Sequence, residues 1–126
     1  NLNNTKVQSP ISYQDMVFTM QKCKSTVVIG DEFYNNNFHT LRMYEGILAG
    51  CLVFIDRSFD RSNKFYADIP EGEDLLVDNT NDVLSYLRSN DINEIASSIR
   101  LKIIDSYSKD RLKEITLEAM KSWDQL

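Results

Sequence analysis

Two short apolar runs constrain this chain more than anything else: Thr26-Val27-Val28-Ile29 and Cys51-Leu52-Val53-Phe54-Ile55. A strand with one face in water alternates apolar and polar residues. A strand without that alternation must be buried on both faces, which is the condition of a parallel sheet covered by helices. The first run stops at Gly30-Asp31 and the second at Asp56. One helix-length segment lies between them. Thr40 can cap its start, Leu41 to Ala49 carries it, and Gly50 suits the position just past its end. Within it, Leu41, Tyr44 and Leu48 share one face. The sequence therefore predicts a strand–helix–strand unit.

The flanks extend this unit. Val7 ends a short strand, and Ser9-Pro10-Ile11 leads into a helix with Ser12 as its cap and Asp15 three residues on. Tyr13, Met16, Val17 and Met20 give that helix a buried stripe, and it ends near Lys22 to Lys24. After the second run, Asp60 to Asp74 reads as irregular, with Pro70 and Gly72 as breakers, and Glu71, Glu73 and Asp74 as a solvated loop. Leu75-Leu76-Val77 is a final short strand. Three helical patterns follow: Thr80 to Arg88 with Val83, Leu84 and Leu87; Ile92 to Ile104 with Ile95, Ala96, Ile99 and Ile103; and Asp110 to Trp123 with Leu112, Ile115 and Ala119. The expected fold class is α/β, a Rossmann-like parallel sheet over residues 1–78 with a helical tail over 79–126. Three or four strands are few for a full Rossmann-like unit, which predicts further strands ahead of this segment. The first residue is not Met, as in a cut chain.

Composition excludes several functions. A net charge of −5 leaves no basic face of the kind that grips phosphate backbones, so any nucleic acid would be held by another part of the protein. No apolar run approaches the roughly 20 residues that span a bilayer, and no membrane partner is expected. Two cysteines, Cys23 and Cys51, and a single histidine, His39, form no metal-binding pattern. Both cysteines fall on apolar faces and read as buried free thiols. Phe59, Phe65, Tyr66 and Trp123 read as core or interface aromatics.

Chemistry-bearing residues gather around the first strand and the helix after it. Arg42 and Glu45 lie three apart, hence on one helical face, near a helix N-terminus that favours anions. They form either a nucleotide clamp, with Arg42 on phosphate and Glu45 on ribose hydroxyls, or a plain surface ion pair. Asp31, at the strand's end, either bonds a sugar hydroxyl or closes its own turn. His39 has no partner carboxylate in the pattern and reads as a helix-entry residue.

Taken together, Ile29-Gly30-Asp31, Tyr34-Asn35-Asn36-Asn37-Phe38, Thr40-Leu41-Arg42 and Glu45 closely resemble the DNA β-glucosyltransferases of T-even bacteriophages. The likeness runs on through Ile55-Asp56 and Phe59-Asp60, and fades along the helical tail. It covers most of the chain from about Val7, and only its central block is specific. Glu45-Gly46-Ile47-Leu48-Ala49-Gly50-Cys51-Leu52-Val53 is also similar to the E-x-x-x-A-G-x-x-V segment of glycosyltransferases built from two Rossmann-like domains, the GT-B fold. Many retaining members carry a second glutamate eight residues earlier, where this chain has Asn37. That departure agrees with an inverting enzyme.

The resemblance implies the C-terminal donor-binding half of a hexosyltransferase. Arg42 and Glu45 would bind the ribose and adjacent phosphate of a UDP-sugar, with UDP-glucose the expected donor. Ile11 would hold uracil through its backbone, and Asp31 would lie near the transferred sugar. The general base and the main phosphate-binding loop of such enzymes lie ahead of the matched region, so no catalytic residue is expected here and the segment alone would be inactive. No tightly bound cofactor is implied, although a divalent cation, Mg or Mn, can accompany UDP. Hydroxymethylcytosine in DNA is the implied acceptor, held mainly by an N-terminal domain, in the cytoplasm of a phage-infected host cell. A glycan or protein acceptor, or a non-enzymatic Rossmann-like interaction module, stays open.

Overall fold

The computed structural model describes residues 10–30 and 41–125. Its elements run α1 (Tyr13–Lys22), β1 (Ser25–Val28), α2 (Leu41–Leu48), β2 (Leu52–Asp56), a 3₁₀ helix (Pro70–Leu75), β3 (Leu76–Val77), α3 (Thr80–Ser89), α4 (Ile92–Ser106) and α5 (Lys109–Asp124). The fold is α/β. Among the described residues the sheet has three strands in the order β1-β2-β3, both pairings parallel, with Val27 opposite Phe54 and Asp56 opposite Val77. The strand expected to end at Val7, the loop Glu32 to Asn37, and Thr40, Asp31 and His39 lie outside the described residues.

The central strand explains the layering. Leu52, Val53, Phe54 and Ile55 are each fully buried, as a run without alternation requires. One face of the sheet carries α2. A Cβ built on Gly46 would stand 2.7 Å from Val53 Cγ2 and 3.1 Å from Thr26 Cγ2, so α2 sits as close to the strands as a helix backbone can. On the other face Phe54 meets Tyr86 of α3 edge-on, ring centres 5.6 Å apart. Ala96, Ile99 and Ile103 of α4 join the same core.

Local signals set most helix ends. Ser12, Asn79, Asp91 and Ser108 each cap a helix by accepting a backbone N–H three residues on. Gly50 takes φ +95°, the left-handed conformation that lets the chain leave α2 and enter β2.

The structure corrects several expectations. The first apolar run is not buried on both faces: Val27 is 43% and Ile29 74% exposed, because among the described residues β1 packs chiefly against β2 and α2, which leaves its other face open. Cys51 is buried, its thiol donating to the Met20 carbonyl at 2.9 Å, but Cys23 is exposed. Cys23 is the C-cap of α1, where the chain has turned extended, so the helical face assumed for it does not reach that position. On α2 the buried side is Met43, Gly46 and Ile47; Leu41, Tyr44 and Leu48 share another face, which lines a concavity with Ile103, Ile104 and Tyr107, and Leu41 is 76% exposed. Close approach to the sheet selects the face that carries glycine, not the face with the most leucine. Nor is 60–74 wholly irregular, since it contains the 3₁₀ helix and one fully buried charge, Asp60. Both Asp60 carboxylate oxygens accept backbone N–H groups, from Lys64 at 2.9 Å and Phe65 at 2.8 Å, which offsets the cost of burial. Phe59, Phe65 and Tyr66 are core residues, with the Tyr66 hydroxyl donating to the Val53 carbonyl at 2.7 Å. In α5 no residue is buried; Leu112, Ile115 and Trp123 are exposed.

Asp60→Asn should destabilise the protein by about 2 kcal/mol, because an amide N–H₂ then faces a backbone N–H inside the core. Urea unfolding followed by circular dichroism would read this as a lower midpoint at unchanged slope. A second outcome concerns pH. Glu71 Oε1 accepts from Lys102 and, at 3.0 Å, from Ser98, tying the 3₁₀ helix to α4. The Lys102 ammonium bond holds the Glu71 carboxyl below its usual range. A carboxylate whose pKa falls on folding stabilises the fold above its unfolded value, near ~4.3, and loses that contribution as pH drops through the lowered value. Wild type should therefore lose more stability than Glu71→Gln between about pH 5 and pH 3.

Candidate functional site

The first turn of α2 and the start of α1 meet at an open cleft. Pro10, Ile11, Tyr13, Met16, Met20 and Arg42 line it, and its volume is about 520 Å³. The helical repeat of α1 explains one wall. Tyr13, Met16 and Met20 recur on one face, and along that face burial falls from Met20, in the core, through half-buried Met16 to exposed Tyr13. The stripe expected to be buried throughout thus leaves the core and becomes the cleft wall.

The opposite wall comes from α2. Met43 and Ile47 turn to the sheet, so the residue one step earlier, Arg42, projects sideways toward α1. Its guanidinium Nη1 lies 3.3 Å from Glu45 Oε2. The two members differ in environment: the Arg42 side chain keeps 50% of its exposure and Glu45 only 19%. An ordinary surface pair would leave both in water. Here a shielded carboxylate orients a cation that still faces the cleft.

Of the four residues singled out from sequence, Ile11 and Arg42 line this cleft, Glu45 is held against Arg42, and Asp31 lies outside the described residues. The sequence pattern presents Tyr13, Met16 and Met20 only as a core stripe of the helix. The signal that could have found them is the position of Tyr13 in the first turn of α1, two residues after Ile11.

A second concavity of about 310 Å³ lies at the carboxyl ends of the strands, lined by Val27, Ile29, Asp56, Val77, Asp78, Asn79, Thr80 and Val83. Val27 and Ile29 are 43% and 74% exposed there. Its polar groups are engaged locally. Asp56 Oδ1 accepts the Ser58 N–H at 2.9 Å and the Ser58 hydroxyl at 2.8 Å, Asp78 pairs with Arg57 at 3.2 Å, and Asn79 caps α3. The Arg42 cleft is therefore the better-equipped of the two for an anionic ligand. Among the described residues no group of three or more His, Cys, Asp or Glu side chains could hold a metal ion. None of the described helices is long and apolar enough to cross a membrane.

Beside the cleft, α2 is braced from its other flank. The Tyr44 ring packs edge-on against Phe65 and Tyr107, and its hydroxyl lies 3.0 Å from that of Tyr107. Burial, reinforced by the Tyr107 hydroxyl, pushes the Tyr44 phenol up to about 12. No protein-family model, curated protein or solved structure matches the chain.

Gly46→Ala should destabilise the protein by about 1–3 kcal/mol, because the new methyl must displace Val53 or lift α2. Val53→Ala in the same background should recover part of the loss. A double-mutant cycle in urea measures the coupling between the two positions.

Proposed function

We propose that this chain is the donor-binding part of a glycosyltransferase with two Rossmann-like domains, and that the cleft between α1 and α2 takes the nucleoside diphosphate of a UDP-sugar. The observation that carries the reading is the convergence of Ile11, Arg42 and Glu45. Ile11 and Arg42, far apart in sequence, line one cleft, and Glu45, one turn after Arg42 on the same helix, is held against its guanidinium. A nucleoside diphosphate needs an apolar surface for its base and a cation for its phosphates, and the cleft offers one on each wall. The small parallel sheet with helices on both faces is the scaffold such a half-enzyme would use.

In this reading the protein is an inverting transferase whose donor is UDP-glucose. A base in a preceding domain deprotonates the acceptor hydroxyl, which displaces UDP from the sugar carbon. Hydroxymethylcytosine in DNA is the acceptor the motif favours. A basic surface for DNA would lie on that other domain, consistent with the net charge of −5 here. Arg42 stabilises the negative charge that develops on the departing diphosphate. Glu45 orients Arg42 and accepts ribose hydroxyls. Asp31 is assigned to the transferred sugar by resemblance. No residue is assigned to a divalent cation.

Titration calorimetry of the full-length protein with UDP tests this. Arg42→Ala should weaken UDP about tenfold to a hundredfold, the loss expected for the ~1.5–3 kcal/mol of a charge-assisted hydrogen bond. Glu45→Ala should weaken it less. Because Arg42 is half exposed, its loss should shift the unfolding free energy by under ~1 kcal/mol. UDP affinity unchanged in both variants would remove the site assignment.

A further inference from the structure

We propose that Tyr13 is the stacking platform for the nucleobase, so that the ligand lies with its base on α1 and its phosphates at α2. The inference rests on the donor reading above and adds its orientation and a residue that the motif does not contain. Tyr13 is 64% exposed although it belongs to the apolar stripe of α1, and it lines the same cleft as Arg42. Phe18, also exposed in α1, lies on another face of the helix and does not line the cleft.

Three features favour a planar ring at Tyr13. First, the wall around it is apolar, formed by Ile11, Met16 and Met20, and Pro10 stiffens the approach to it. Second, the charged group of the cleft is on the opposite wall, so a ligand with one anionic and one aromatic end has a single favourable orientation. Third, α1 is capped at its start and tied to the start of β2 at its end. Ser12 caps its start, accepting the Asp15 N–H at 3.2 Å, and its last turn accepts the Cys51 thiol at the Met20 carbonyl. A ring in the first turn of a capped helix is held in place before the ligand arrives, which reduces the entropy lost on binding. Stacking on a tyrosine face is tolerant of base identity, because every base has a π face. Tyr13 therefore supplies affinity for the base, while discrimination among bases falls to groups that meet the base edge.

The test compares UDP, ADP and inorganic pyrophosphate binding to the full-length protein, with Tyr13→Ala and Tyr13→Phe beside wild type. Tyr13→Ala should weaken UDP and ADP by similar factors, about tenfold, and leave pyrophosphate unchanged. Tyr13→Phe, which keeps the ring, should stay within about twofold of wild type for all three. UDP affinity unchanged in Tyr13→Ala, or an equal loss for UDP and pyrophosphate, would overturn the stacking role while leaving the donor site intact. A wild-type protein that binds neither UDP nor pyrophosphate would overturn the donor reading and Tyr13's role with it. Circular dichroism of Tyr13→Ala separates a lost platform from a lost helix, and an unfolded α1 with Tyr13→Phe also weakened would count against the proposal.

Discussion

The close seat of α2 on the sheet governs the rest of the structure. Gly46 faces Val53 and Thr26 with no room for a side chain between them. That contact fixes the rotation of α2 about its axis as well as its height. With Met43, Gly46 and Ile47 turned to the strands, Arg42 must project toward α1 and Tyr44 toward Phe65 and Tyr107. A helix of eight residues has little stability of its own in water. Its orientation is thus a property of the packing, and the placement of Arg42 follows from the packing too.

The central strand makes this seat possible. Leu52, Val53, Phe54 and Ile55 of β2 are fully buried, with α2 and α4 packed on the strand and Tyr86 of α3 against Phe54. The irregular segment after β2 is tied down by polar contacts. Asp60 organises its own turn through two backbone N–H groups, and Glu71 links the 3₁₀ helix to α4. The Asp60 bonds pair the Lys64 and Phe65 N–H groups, and the Glu71 bonds fasten the segment to α4.

Arg42 and Glu45 show how local spacing and tertiary setting contribute differently to a site. Their spacing makes an ion pair possible on any helix, and most such pairs contribute little. What distinguishes this pair is the unequal exposure of its members and the apolar wall across from it. A half-shielded carboxylate next to an open cation is an arrangement suited to a ligand that brings its own negative charge.

The sequence by itself determined the α/β class, the parallel strands and nearly every helix end. Apolar runs without alternation, capping residues at Ser12, Asn79, Asp91 and Ser108, and Gly50 all act within a few residues of themselves. It also marked Ile11, Arg42 and Glu45, through spacing and through motif. Tertiary structure alone decided which face of α2 is buried, that Cys23 lies exposed beyond the end of α1, that Asp60 is an interior anchor, and that Tyr13 leaves the core to face Arg42. Periodicity reports that a helix has an apolar stripe, but not how far the partner surface extends beneath it. Where that surface ends, a residue patterned for the core becomes the wall of a cleft.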